Sequence, residues 1–345
     1  MTISHESVAR PATNLLVRFV ASDGVRETRV IAKWAPVYPE NNEGLTEFHH
    51  YRRFHRALGH RACVRCPLPL AFLRDENVLL TREDPGVPFR DVLRSVGPRS
   101  APIDILRTCV LCARWLRQFH HLMPLSRVPV SSAIVNLKRL WPDLSDANRI
   151  GDKLNLILTG DLRRRIQSNY ERLCECTSLC SSGSIHRDFG PGNILCTEHN
   201  ITVLDAASNQ IGPQLIDVAE FVAYLYLLPV TTLHTRQACR KFARTFLDSY
   251  LTSSVWNPGE EMLFRLLAIV SAIRTVERQI RRLEHLPRPA RSIAWRYLAL
   301  RYSNALNCLI DDNVESLGLF SKISNPRAIR GFPSPGGSFT LVPQK

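Results

Sequence analysis

Asp188 and Asn193 stand five residues apart in the run His186-Arg187-Asp188-Phe189-Gly190-Pro191-Gly192-Asn193, so one loop can carry both a carboxylate and an amide oxygen. A carboxylate in such a loop suits general-base work on a hydroxyl, and a hard amide oxygen suits a divalent cation. Gly190 and Gly192 supply permissive backbone for the tight path this requires. Asp205 ends the apolar run Ile201-Thr202-Val203-Leu204, where a second hard oxygen can bind magnesium. Lys33 ends Val30-Ile31-Ala32-Lys33, a strand-like run from which an ammonium can reach the α- and β-phosphates of a nucleotide. Glu47, further on, can pair with Lys33 and hold it, with Glu40 and Glu43 as nearby alternatives. Charge neutralisation on phosphates, a bound metal and a carboxylate that takes the proton of an attacking hydroxyl are the parts that phosphoryl transfer needs. Four separated segments supply them in chain order. The octad alone occurs by chance, so the weight lies in the company it keeps.

Those segments fall on elements able to position them. Leu15-Leu16-Val17-Arg18-Phe19-Val20 and Thr28 to Trp34 flank Asp23-Gly24 and are rich in β-branched and aromatic residues, which predicts a hairpin. Phe48, Tyr51, Phe54 and Leu58 then recur at helical spacing and predict a helix carrying Glu47. Leu70 to Leu73 and Val78 to Thr81 read as two more strands around Arg74-Asp75-Glu76-Asn77. After Asp84-Pro85-Gly86 the pattern turns helical: Asp104 to Leu122 is periodic, and weaker patterns cover Ser131 to Trp141, Ala147 to Leu158 and Asp161 to Cys174. Ser181-Ser182-Gly183-Ser184 reads as a loop before the octad, and Ile194 to Cys196 and Ile201 to Leu204 as short strands after it. Helical patterning resumes beyond Asp217 to about Ile310, and Pro and Gly crowd the tail. The expected division is residues 1–84, a nucleotide-binding lobe; 85–323, a catalytic and substrate lobe; and 324–345, a disordered tail.

The formal net charge of +14 favours an anionic partner or a solvated arginine-rich exterior. The cationic runs, such as Arg163-Arg164-Arg165, have little aromatic interleaving, so no specific nucleic-acid binding is expected. Ten cysteines without an export-like leader imply reduced thiols. Cys63/Cys66 and Cys109/Cys112 have zinc-ligand spacing, yet the second pair falls inside a helical pattern where cysteine serves as a small apolar residue. No run approaches the length of a membrane span, and a cytoplasmic protein is the simplest expectation.

The order Lys33, Glu47, His186-x-Asp188-x-x-x-x-Asn193, Asp205 resembles the aminoglycoside phosphotransferase and choline kinase branch of the protein-kinase-like superfamily. Gly212-Pro213-Gln214-Leu215-Ile216-Asp217-Val218-Ala219 resembles that family's G-x-P-x-x-D-L-A segment, although Pro213 here directly follows Gly212. Trp115-Leu116-Arg117-Gln118-Phe119-His120 is similar to the helix that packs beneath the catalytic loop. Together the matches span roughly residues 12–228. The resemblance implies an α+β bilobal fold with a small antiparallel-sheet lobe and a larger, mostly helical lobe. It assigns Asp188 as base, Asn193 and Asp205 as Mg²⁺ ligands, Lys33 and Glu47 as ATP-binding residues, and His186 and Asp217 as structural braces. It also offers Thr13 to phosphate, in a loop (8–13) that lacks glycine, and Glu83 to adenine, in a hinge running from Leu79 to Phe89.

Arg187 is the residue protein kinases carry inside this motif, but only eleven residues separate Asp205 from Asp217, too few for a long activation segment. The implied activity is therefore transfer of the γ-phosphate of ATP to a hydroxyl of a small molecule. The basic balance favours a neutral or anionic sugar or phosphorylated metabolite over a cationic aminoglycoside or amino alcohol. The glycine-free loop keeps open an alternative, a weak or inactive kinase-like module that senses nucleotide.

Overall fold

The computed structural model describes residues 2–9, 15–22, 24–34, 43–58, 63–95, 103–122, 125–134, 160–206, 210–231, 234–251, 256–283, 301–302, 304–305 and 309. The expected helices through 135–158 and the tail at 324–345 lie outside these residues.

Strands β1 (Thr2–Ala9), β2 (Leu15–Ser22), β3 (Glu27–Trp34), β5 (Pro69–Leu73) and β6 (Val78–Arg82) form an antiparallel sheet in the order β1-β2-β3-β6-β5, and β4 (Val64–Arg65) lies outside it. The expected hairpin and the second strand pair are both present. The central position of β3 matters for function. Leu16 on one side and Leu79 on the other are the register partners of Lys33, so its backbone is fixed from both edges. Strand β1 was not anticipated, and its Val8 and Ala9 fall where a loop (8–13) was expected. Its Ser4, His5 and Ser7 interrupt an apolar pattern, yet it pairs with β2 as an edge strand, where one face is all that needs to be apolar. Helix α1 (Glu43–Leu58) packs on this sheet and buries Glu47, Tyr51 and Phe54 together, since positions four and three apart share a face.

Beyond the sheet come β7 (Val87–Pro88), α2 (Phe89–Arg94), α3 (Ile105–Leu122), β8 (Leu125–Pro129), α4 (Gly160–Cys174), β9 (Leu179–Ser184), a 3₁₀ turn (Pro191–Asn193), β10 (Ile194–Cys196), β11 (Ile201–Val203), β12 (Ile211–Pro213), α5 (Leu215–Thr231), α6 (Arg236–Leu251) and α7 (Pro258–Leu283). Ser181 to Ser184, expected as a loop, belongs to β9. Its small side chains hide the strand signal, but β9 lies between β8 and β12 and its backbone is paired on both edges. Cys180, Ser182 and Gly183 are buried there. Helix α5 is apolar nearly all round, as a helix enclosed by others must be, and packs against both α6 and α7. Cys109 and Cys112 are fully buried on α3, as small apolar residues of the core. Among the described residues no helix is long and apolar enough to cross a membrane.

An aromatic column ties these layers to the octad. Trp115 on α3 stacks on Phe54 of α1, on Phe119, and on Phe189, whose ring in turn meets Phe221 of α5. Phe189 follows Asp188 directly and is 1% exposed. The residue beside the expected base is thus a core anchor, and the base itself is pushed outward.

Gly86 connects the two parts of the chain with φ of 143°, and a Cβ there would meet the Cys196 carbonyl oxygen at 3.0 Å. Gly86→Ala is expected to destabilise the fold by about 1–3 kcal/mol, because an L side chain is strained at that φ and the neighbour is backbone. Urea denaturation monitored by tryptophan fluorescence measures this.

Candidate active site

Lys33 projects from β3 into a mostly buried position and donates to Glu47 Oε2 at 2.8 Å and to Asp205 Oδ1. Burial by itself depresses an ammonium's pKa. The facing carboxylates of Glu47 and Asp205 outweigh it and hold Lys33 above the ordinary lysine range. Of the three candidate glutamates, Glu47 is the partner, 2% exposed on the inner face of α1. That face could have been read from sequence: Glu47 sits four residues before Tyr51, on the same stripe.

Tyr51 is a residue that sequence reasoning missed. Its hydroxyl donates to Glu47 Oε1 at 2.5 Å and accepts the Asp205 backbone N–H at 3.0 Å, joining α1 to the end of β11. His50 adds a second tie, its Nδ1 donating to the Ala206 carbonyl oxygen at 2.7 Å. Burial lowers the His50 pKa, which favours the neutral ring.

The octad loop is held from beneath by Asp217. Its carboxylate is fully buried and accepts three hydrogen bonds: from the His186 N–H and His120 Nε2 on Oδ2, and from the Arg187 N–H on Oδ1. Burial pushes this carboxyl up, but the hydrogen bond and charge of His120 prevail and hold it below the usual aspartate range. His120 also pairs at Nδ1 with the Tyr250 hydroxyl, at 2.8 Å. His186 braces the loop as expected, its Nε2 donating to the Leu204 carbonyl oxygen at 3.1 Å.

Asp188 is exposed, and Asn193 Nδ2 donates to its Oδ2 at 2.7 Å and to its carbonyl at 3.1 Å. The loop's demanding backbone is not where the glycines are. Gly190 is extended, with φ of −126°, and the left-handed positions belong to Arg187 (φ 69°) and Asp205 (φ 58°). Each of these costs about 1–3 kcal/mol and persists only where its surroundings fix it. Here both have their N–H held by a side chain from another element, Asp217 for Arg187 and Tyr51 for Asp205.

The structure therefore brings together Lys33, Glu47 and Asp205, pairs Asp188 with Asn193, and places His186 and Asp217 under them. Glu83 lies elsewhere: its N–H donates to the Arg29 carbonyl, four residues back along β3 from Lys33, and its carboxylate pairs with Arg18 at 2.6 Å. Thr13 lies outside the described residues. Asp205 and Asn193 offer a carboxylate and an amide oxygen, the hard donors that suit magnesium, and the Asn193 amide nitrogen is the end turned to Asp188. The mostly buried Lys33 ammonium suits an anionic phosphate.

A family model described as the phosphotransferase enzyme family matches residues 8–264. Among solved structures, a glucosamine kinase superposes with a TM-score of 0.55 at 14% identity, covering 91% of this chain and 94% of the other. An amicoumacin kinase with AMP-PNP and Ca²⁺ gives 0.53 at 12% identity, covering 86% and 87%. A glucosamine kinase with glucosamine, ADP and inorganic phosphate gives 0.50 at 14% identity, covering 92% and 94%. A comparison with curated protein sequences gave no match. At these identities the structural likeness establishes the bilobal kinase-like fold.

Tyr51→Phe removes one hydroxyl from the join between Glu47 and Asp205 while keeping the ring in the core. The variant is expected to lose about 1–3 kcal/mol of stability, the cost of leaving buried polar partners unsatisfied. It is also expected to lower turnover more than Phe242→Leu, a change to a buried ring of α6 that meets His234. Paired denaturation and phosphate-transfer assays measure both.

Proposed function

The chain belongs to the phosphotransferase enzyme family, and from that premise we propose that it moves the γ-phosphate of ATP to a hydroxyl of a small molecule. The observation that carries the proposal is the meeting of Lys33, Glu47 and Asp205 from three distant segments, beside a braced loop that presents Asp188. Solved kinases of like fold hold ADP or AMP-PNP, which favours an adenine nucleotide.

In this proposal Lys33 binds the nucleotide phosphates and Glu47 holds it in position. Asp205 and Asn193 hold Mg²⁺. The magnesium nucleotide supplies, when bound, an electrophilic phosphoryl group with much of its charge neutralised. Asp188 orients the acceptor hydroxyl and takes its proton, while the hydroxyl oxygen forms the new bond to phosphorus and ADP departs. Asn193, donating to Oδ2, fixes the carboxylate's rotation and leaves Oδ1 for the hydroxyl. The lobes meet at the 84–85 boundary, and adenine lies along the segment that follows β6, with Glu83 contributing its carbonyl because its N–H is engaged by Arg29. Register supports this distance: four strand residues from Lys33 is about 13 Å, enough to separate adenine from phosphates.

Phosphorylation measured with Mg-ATP over a panel of sugars, aminoglycosides and amino alcohols is the test, with Asp188→Ala alongside. Acceptor-stimulated turnover is expected for the wild type, with a loss of about 10²–10⁴-fold in the variant. Turnover that survives Asp188→Ala contradicts the role of that base. Mg-ATP binding by thermal shift without turnover of any acceptor favours the sensing module, and absence of binding overturns both.

A further inference from the structure

Past Asp217, helix α5 carries Glu220 and Tyr224, three and seven residues on. At 3.6 residues per turn these three side chains share one face. Because Asp217 grips the backbone of His186 and Arg187, that face starts under the catalytic loop and runs away from it along the helix. Glu220 lies within electrostatic reach of Asp217, Arg187, Arg274 and Asp188, and Tyr224 within reach of Arg94, Arg90 and Asp91. Arg90 comes from α2 on the other side: its Nη1 lies 3.7 Å from the point where a Cβ on Gly192 would stand. Arg274 comes from α7, which packs along α5. Four guanidinium groups thus border the strip next to the base, and Arg90, Arg94 and Arg274 are exposed.

The carboxyls in this neighbourhood do not reverse its sign. Asp188 and Asp217 are engaged in the catalytic loop, and Asp91 is an exposed partner of Arg90. Burial pushes Glu220 up to about 8, so at neutral pH it adds little negative charge. Guanidinium forks favour planar or tetrahedral oxyanions and disfavour ammonium groups.

We propose that the strip from Arg187 and Glu220 to Tyr224, bordered by Arg274 and Arg90, is the acceptor subsite, and that it takes a hydroxylated small molecule bearing a phosphate or carboxylate. This rests on the phosphotransferase reading of the same site. Arg187 and Arg274 hold the oxyanion, and Tyr224 packs against the carbon skeleton. The substrate's hydroxyl then reaches Asp188, and the product carries one more phosphate than the acceptor.

The experiment uses the full chain and two skeletons in three charge states: glucosamine, glucose and glucose 6-phosphate; 3-amino-1,2-propanediol, glycerol and glycerate. Steady-state transfer from Mg-ATP and calorimetric binding in the presence of AMP-PNP are measured for each. The anionic member of at least one series is expected to exceed its neutral and cationic partners by about tenfold or more in kcat/KM and in affinity, or about 1.4 kcal/mol. Arg274→Gln raises the KM for that anion by about tenfold, leaving the KM for ATP in place, and Arg274→Lys restores part of the loss. Since Arg274 is exposed, neither change touches the core. Neutral or cationic acceptors turned over as well as anionic ones overturn the subsite and leave the transferase standing. Selective binding of the anion without turnover does the reverse. An Arg274→Gln effect confined to the KM for ATP assigns the guanidinium to the nucleotide and overturns the proposal.

Discussion

One ammonium group holds this site together. Lys33 reaches a glutamate 14 residues away and an aspartate 172 residues away, joining β3, α1 and the segment after β11. Each partner is anchored by something else: Lys33 by two neighbouring strands, Glu47 by the buried face of α1, and Asp205 by the Tyr51 hydroxyl. The two carboxylates offset the cost of withdrawing the ammonium from water, which is why Lys33 keeps its charge in a place that would otherwise remove it. An anionic phosphate arriving there meets a cation already desolvated and already aimed. In the proposed transfer the electrostatics are thus arranged before any ligand binds.

A second constraint keeps Asp188 in register with that cation. The octad loop is strained at Arg187, and the segment after β11 is strained at Asp205. Asp217 and Tyr51 hold those two residues by their backbone N–H groups. His186 then links the two segments, its ring donating to the Leu204 carbonyl. Asp188 faces solvent while Phe189 beside it is locked into the aromatic column with Trp115.

The candidate site residues were legible because the chemistry proposed for them restricts residue type and their order along the chain is informative. Lys33, Glu47, Asp188, Asn193 and Asp205 could each be named, while the choice of Glu47 over Glu40 and Glu43 came only with its burial on α1. The braces were harder. Tyr51 looked like one more apolar position, since nothing local distinguishes a buried tyrosine whose hydroxyl is bonded from one that merely packs. His120 looked like a helix-end residue because its partners, Asp217 and Tyr250, are 97 and 130 residues distant. The glycines of the octad drew attention to the wrong backbone positions: left-handed conformations were stabilised instead by long-range hydrogen bonds at non-glycine residues. Strand β9 was hidden for a related reason, since serine and glycine carry a turn signal locally and yield to pairing on both edges. Thr13 and the loop before β2 fall outside the described residues, and Glu83 is tied into the sheet through Arg18 and Arg29.

In the proposed mechanism Lys33 and Glu47 act as one unit on the phosphates. A double-mutant cycle on ATP-dependent phosphate transfer, using Lys33→Met, Glu47→Gln and both together, tests it most directly. If Glu47 works by holding Lys33, each single change lowers kcat/KM by about a hundredfold or more, and the double variant is no worse than Lys33→Met. Losses that multiply in the double variant, or a Lys33→Met enzyme that retains transfer, contradict the account.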